Sequence, residues 1–176
     1  ELSFIYPITP SSPMASQIDL MDSENQKNVF GDTVNVIEMQ SEAGAIGMVH
    51  GLLQNGVLAT TYTASQGLLL MIPSMYKIAG EMLPCVINVA SRTVAAHALS
   101  IFGDHSDIYA SRSTGFCFLA SSSVEDTIYM TLASYLSTLK GKLPFVNFFD
   151  GFRTSHELNK VYVPDMSEIK GLVPFK

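Results

Sequence analysis

Val34-Asn35-Val36-Ile37-Glu38 leads through Met39-Gln40-Ser41 into Glu42-Ala43-Gly44-Ala45-Ile46-Gly47-Met48-Val49, and this stretch decides the fold. Its first half is rich in β-branched residues, as a strand is. Its second half is built of small and apolar residues at helical spacing. Passing from strand to helix in three residues opens a β–α unit. Glu42 stands at the tip of that strand, and Gly44 and Gly47 beside it would let another surface approach closely. A glutamate in a first helical turn is ordinarily explained by the helix dipole. Two further segments weigh against that explanation alone: Tyr6-Pro-Ile-Thr9-Pro-Ser-Ser-Pro-Met14 and Ala90-Ser-Arg92-Thr-Val-Ala-Ala-His97. Each also lies where a strand gives way to a turn or helix. All three would gather at the carboxyl edge of a parallel sheet, where open α/β sheets bind ligands.

The same alternation runs along the chain. Strands are expected at Ser3–Tyr6, Val34–Glu38, Val57–Tyr62, Cys85–Val89, Phe116–Ala120 and Phe145–Phe149. Most are apolar on both alternating faces, as strands covered by helices on each side must be. Helices are expected near Met14–Gln26, Glu42–Asn55, Leu68–Glu81 and Val124–Lys140, with Asp104–Arg112 a short helix or ordered loop. The last long helix has the clearest signals. Ser123 and Asp126 resemble a capping box, Val124, Ile128, Leu132, Tyr135 and Leu139 form an apolar stripe, and Gly141 with Pro144 ends it. The fold class that follows is α/β: a doubly wound, mostly parallel sheet with helices on both faces. From Asn159 the rhythm is lost, and Pro164 and Pro174 suggest an extended connection. The domain is therefore placed at residues 1–160, with 161–176 starting a link onward. With Glu1 beside a strand and no initiator Met, the chain reads as a piece of a longer one, incomplete at its amino end.

The bulk numbers narrow the function. Its 176 residues suffice for one domain, and 47% hydrophobic against 15% charged residues indicates a packed interior whose surface is partly covered by something else. The net charge of −6 and scattered Lys and Arg argue against nucleic acid as a partner. Gly67-Leu-Leu-Leu-Met-Ile72 stops at Pro73, short of a membrane span. Cys85 and Cys117 read as buried thiols in preference to a disulfide, and no metal-type cysteine spacing exists. Neither a dinucleotide fingerprint, nor a P-loop, nor a nucleophile elbow is present. His97 reads as a half-buried histidine, and the nine methionines as core filler.

The segments Tyr6–Met14, Gln40-Ser-Glu-Ala-Gly-Ala45, Tyr62-Thr-Ala-Ser-Gln-Gly67, Ser91–His97, Phe102-Gly-Asp-His-Ser-Asp107 and Phe148-Phe-Asp-Gly-Phe-Arg-Thr-Ser-His-Glu157 carry a likeness. In order and register, from about residue 3 to about 160, they resemble the first domain of the pyruvate:ferredoxin (flavodoxin) oxidoreductase family. The stretch Phe148–His156 is more similar to the single-chain pyruvate enzymes than to their split-subunit 2-oxoacid relatives. The resemblance implies a thiamine diphosphate-binding fold of the pyrimidine type. In that family the domain holds the aminopyrimidine end of thiamine diphosphate, a distant domain holds the diphosphate and Mg²⁺, and others carry [4Fe–4S] clusters. This chain lacks the Gly-Asp-Gly metal motif and the Cys-x-x-Cys groups, so Mg²⁺ and cluster ligands would lie outside it.

The implied reaction is oxidative decarboxylation of pyruvate, with CoA taking the acetyl group and electrons passing to ferredoxin or flavodoxin. Implied partners are other domains of the same chain and, as a homodimer, a second copy. The implied compartment is the cytoplasm, or a hydrogenosome or similar organelle in an anaerobic eukaryote. By the family's motifs, Glu42 matches the acid that bonds the pyrimidine N1′ and promotes the imino tautomer needed to deprotonate C2. Arg92 matches the residue gripping the substrate carboxylate, a task for a guanidinium fork. Thr9 matches a hydroxyl beside the same substrate, on a loop stiffened by Pro10. The packing explanations are a surface ion pair for Arg92 and a turn threonine for Thr9. The rival functions are a sister oxidoreductase acting on 2-oxoglutarate or a branched acid, and a scaffold domain of the same fold without chemistry.

Overall fold

The computed structural model describes residues 1–173. The strand-to-helix passages of the sequence become a six-stranded, all-parallel sheet. Its elements in chain order are β1 (Leu2–Ile5), α1 (Ser12–Ser23), β2 (Asn35–Glu38), α2 (Glu42–Leu53), β3 (Ala59–Thr63), α3 (Gln66–Gly80), β4 (Val86–Ser91), α4 (Ser106–Ser111), β5 (Cys117–Ser121), α5 (Val124–Gly141), β6 (Phe145–Asp150), α6 (Arg153–His156) and α7 (Met166–Leu172). The strand order is β2-β1-β3-β4-β6-β5. The chain winds outward from β1 to β2, then returns to β3 on the other side. The order therefore reverses between β1 and β3, which is where a doubly wound sheet opens a crevice.

The two faces of the sheet are packed by different chemistry. On one, Phe4, Ile87, Val89, Val146 and Phe148 meet Ala45, Ile46 and Val49 of α2 and Leu68, Met71, Met75 and Ile78 of α3 in a single apolar core. Burying a side chain of that size contributes about 1.5–3 kcal/mol each. On the other face α1 covers only a small cluster around Ile5, Ala15 and Tyr62. Beneath α5 the interior is polar. The Tyr135 hydroxyl donates to Thr60 Oγ1 at 2.8 Å, and Asn147 Nδ2 donates to Asn88 Oδ1 at 3.2 Å and to Thr131 Oγ1 at 2.8 Å.

That polar sheet face explains where the expected α5 stripe falls short. Val124, Ile128, Leu132, Tyr135 and Leu139 are all only half-buried. The residues of α5 turned most deeply into the sheet are Ser134 and Thr138, which are fully buried. Its cap is half of the expected box. Ser123 Oγ accepts from the Asp126 amide at 3.1 Å, but Asp126 turns its carboxylate to the Ser122 hydroxyl and amide. At the far end Gly141 stays helical, and Lys142 takes the left-handed conformation with φ 54°.

Other expectations are corrected. Residues 161–173 are not wholly extended, since α7 forms there with Asp165 capping the Ser167 amide at 3.1 Å. Pro174 lies outside the described residues. His97 is exposed, because the loop after Arg92 runs outward. Only Met71 and Met75 are fully buried, while Met48, Met82 and Met166 are exposed. Cys85 and Cys117 are both free, the first buried and the second half-buried. Burial pushes the Cys85 thiol well up from its ordinary range, so it is an inert packing group.

Candidate functional site

Four turns at the carboxyl ends of β1, β2, β3 and β4 carry the candidate residues. These strands are neighbours in the sheet, so the turns lie side by side across the β1/β3 reversal. Thr9 sits in the turn after β1, where the Ser11 and Ser12 amides donate back to the Ile8 carbonyl. The Thr9–Pro10 peptide is cis. Pro10 is buried, whereas Thr9 is exposed. Beneath Pro10 lies Gly151, where an added Cβ would stand 2.7 Å from Pro10 Cγ.

Arg92 follows the last residue of β4 and is 6% exposed. Its Nη1 donates to the Thr9 carbonyl at 2.6 Å and its Nη2 to Gln66 Oε1 at 3.4 Å. Its buried Nε has no partner. Among the described residues no carboxylate pairs with it, so the surface ion pair is ruled out. A buried cation held only by neutral acceptors is short of counter-charge, and such groups are ordinarily paired. Its surroundings suit an anion that the described residues do not supply.

Glu42 is the first residue of α2, behind Ser41, whose hydroxyl accepts from the Gly44 amide at 3.1 Å. The side chain does not lie along its own helix end in water, as the dipole explanation alone would have it. It is 7% exposed and folds against the first turn of α3. A Cβ at Gly67 would stand 2.9 Å from both Cγ and Oε1 of Glu42, and would collide with Thr63 Oγ1. Gly67 is thus the notch that admits the carboxylate. No hydrogen bond from the described residues reaches that carboxylate.

The notch and the Arg92 contact belong to one turn. Ser65 precedes α3 with φ 50° and ψ −126°, a conformation that costs an L-residue on the order of 1–3 kcal/mol. Its hydroxyl lies 2.7 Å from the Thr93 carbonyl and 2.5 Å from Gln66 Oε1. Thr9, Arg92 and Gln66 are therefore brought together directly, and Glu42 joins them through Gly67, the next residue. Sequence reasoning quoted the segments that hold Gln66, Gly67 and Asp107 but assigned those three residues no role. The signal for Gly67 was its place at the head of an apolar helix, where a glycine has no helix-forming purpose.

A cavity of about 410 Å³ opens beside these turns, lined by Ile101, Phe102, Gly103 and Asp150–Arg153. Asp104, at its margin, is partly desolvated, yet bonds from Ser106 and Thr93 hold its carboxyl below the usual aspartate value. A second cavity, of about 460 Å³, is lined by Phe30, Leu53, Val57, Leu58, Pro84 and Leu139 at the opposite, amino-terminal edge of the strands. It lies away from Glu42 and Arg92.

Comparisons with known proteins bear on the family and the fold. Residues 1–175 match the family model described as pyruvate flavodoxin/ferredoxin oxidoreductase, thiamine diphosphate-binding. The chain is 59% identical over 173 residues to the pyruvate:ferredoxin oxidoreductase of Moorella thermoacetica, covering 98% of this chain and 15% of that relative. It is 58% identical over 174 residues to the mitochondrial pyruvate dehydrogenase [NADP(+)] of Euglena gracilis, covering 99% of this chain and 10% of that one. The chain thus spans only a small part of the relatives it matches. Among solved structures, the 2-oxoglutarate:ferredoxin oxidoreductase of Magnetococcus marinus superposes with a TM-score of 0.77 at 20% identity, over 96% of this chain and 29% of that one. At that identity the likeness speaks to the fold.

Proposed function

Because the chain belongs to the thiamine diphosphate-binding family of pyruvate flavodoxin/ferredoxin oxidoreductases, we propose that it is the part of such an enzyme that orients the cofactor's pyrimidine and grips the oxo acid. The observation that carries this reading is Arg92, a buried guanidinium with a vacant Nε, no anionic partner and a hold on the Thr9 turn. A 2-oxo acid offers the planar carboxylate that such a fork accepts. Thr9, exposed on the turn that Arg92 grips, bonds the same substrate through its hydroxyl. The residues also fit the cofactor. Glu42 is a buried carboxylate in a shaped notch with its hydrogen-bonding capacity unused, as an acid meant for a ring nitrogen should be.

When bound, thiamine diphosphate supplies the carbon nucleophile that attacks the 2-oxo carbon. Glu42 would hold the proton shared with the pyrimidine, and Arg92 would orient the carboxylate. Mg²⁺ and the iron–sulfur clusters are assigned to other domains of the full chain, as are the contacts with CoA and with ferredoxin or flavodoxin. The substrate is pyruvate, supported by the names of relatives at 54–59% identity. The enzyme acts as a homodimer. Among the described residues no helix is long and apolar enough to cross a membrane. The compartment is the cytoplasm, or an organelle of hydrogenosome type in an anaerobic eukaryote.

The test is turnover by the full-length enzyme with pyruvate, 2-oxoglutarate and a branched oxo acid, alongside its Glu42→Gln variant. Preference for pyruvate is expected, and Glu42→Gln should lose orders of magnitude in turnover while remaining folded. Near-normal pyruvate oxidation by Glu42→Gln would remove Glu42 from the chemistry. Failure of the full-length protein to bind thiamine diphosphate would favour a scaffold role.

A further inference from the structure

The segment Phe102–Asp107 has no role in the chemistry proposed above, yet it ends in a wholly buried carboxylate. No cation faces Asp107 among the described residues. Four donors meet it instead. Oδ2 accepts from the Ser65 amide at 2.8 Å and the Arg92 amide at 3.1 Å. Oδ1 accepts from the Ser91 hydroxyl at 2.6 Å and the Ile108 amide at 2.8 Å. One side chain of α4 thus ties the end of β4 to the turn that opens α3. Helix capping accounts at most for the Ile108 bond, because the other three reach away from α4 to two other elements.

We propose that Asp107 is a positioning residue: it aims the Arg92 guanidinium at the substrate carboxylate, and so sets affinity for the oxo acid in preference to the rate of the chemical step. This rests on the reading of Arg92 as the carboxylate clamp. Among the described residues the guanidinium hydrogen-bonds only to the Thr9 carbonyl and Gln66 Oε1. The backbone that carries Arg92 and the left-handed residue preceding Gln66 both hang on one oxygen, Asp107 Oδ2. An amide in place of the carboxylate keeps the volume. It must, however, point its NH₂ either at those two backbone N–H groups or at the Ile108 amide and the Ser91 hydroxyl, which can turn its hydrogen to the Asp104 carbonyl and accept, so at least one backbone N–H is left facing a donor. The 3.4 Å contact from Arg92 Nη2 to Gln66 is the longer of the two that hold the fork, and it is the one a shifted turn loses first.

The experiment is a double-mutant cycle in the full-length enzyme, with kcat and KM for pyruvate measured for Asp107→Asn, Arg92→Ala and the pair. Asp107→Asn should raise KM by about tenfold while kcat stays within roughly threefold, and in the Arg92→Ala background it should add less than about twofold. A purely structural role would instead lower the active fraction, reducing kcat with KM unchanged. That result would overturn the proposal, as would the same KM factor in both backgrounds. Unchanged pyruvate kinetics in Arg92→Ala alone would overturn the clamp, and this inference with it. Should Asp107→Asn fail to yield folded enzyme, Ser91→Ala removes the hydroxyl that anchors Oδ1, so the carboxylate that holds the Arg92 and Ser65 amides is itself loosened. A KM rise of several-fold that vanishes in Arg92→Ala would then support the proposal, and an unchanged KM would sink it.

Discussion

At the residue scale the site depends on what is left out as much as on what is present. Gly67 has no Cβ, and the Glu42 carboxylate occupies the space one would need. Gly67→Ala must push against Glu42, Thr63 or the α3 backbone, an overpacking that typically costs about 1–3 kcal/mol. Its activity should fall much further than its stability, because Glu42 is the softest of these neighbours. Turnover of the full-length variant compared with its melting temperature tests this, and a fully active Gly67→Ala would mean that Glu42 can lie elsewhere. Thr9 predicts the converse. Its side chain is exposed and supports no packing, so Thr9→Val should leave stability within about 0.5 kcal/mol and reduce turnover. Normal turnover by that variant would make Thr9 a turn residue only. For Arg92→Ala, loss of a buried charge-assisted bond, worth roughly 2–5 kcal/mol, should appear in the pyruvate KM.

At the element scale the contrast lies between α3 and α5. The first is locked by an apolar face, the second by hydroxyls and amides over a polar stretch of sheet. Tyr135→Phe should therefore destabilise the protein, since Thr60 and Asn88 lose a partner in a buried network. A cost of about 1–3 kcal/mol is expected in chemical unfolding, with pyruvate kinetics unchanged. An unfolding midpoint equal to that of wild type would show that the network contributes nothing net. The start of α5 adds a pH dependence. Bonds from the Ser122 hydroxyl and amide hold the Asp126 carboxyl below the ordinary aspartate value of 3.8. A lowered folded value stabilises above the unfolded one and is lost as pH falls through the folded one. The stability difference between wild type and Asp126→Asn should accordingly be constant near neutrality and shrink below pH 3.8. A gap that grew on acidification would reverse the sign of this interaction.

At the scale of the whole molecule, apolar side chains crowd the outside near the carboxyl edge. Leu99, Ile101, Phe102 and Tyr109 are 61–80% exposed, and Leu158 is 99% exposed. Exposed apolar patches favour association, so the isolated 176 residues should self-associate in size-exclusion chromatography. They should also bind thiamine diphosphate weakly in calorimetry, since the proposed diphosphate and Mg²⁺ contacts lie in another domain. A clean monomer with micromolar affinity would mean that the site is more complete than proposed. The sequence by itself determined the alternation of strand and helix, and with it a parallel sheet whose carboxyl edge gathers Thr9, Glu42 and Arg92. Each of those signals is local: a β-branched run, a cap, a turn of a few residues. The tertiary structure alone decided that Arg92 reaches the Thr9 carbonyl and that Glu42 fills the Gly67 notch. It also decided that Asp107 ties two turns together, and that α5 rests on hydroxyls where a stripe of apolar residues was expected. Those contacts join residues 15 to 83 positions apart, and which of them form depends on strand order and on the face each helix covers, neither of which local periodicity encodes.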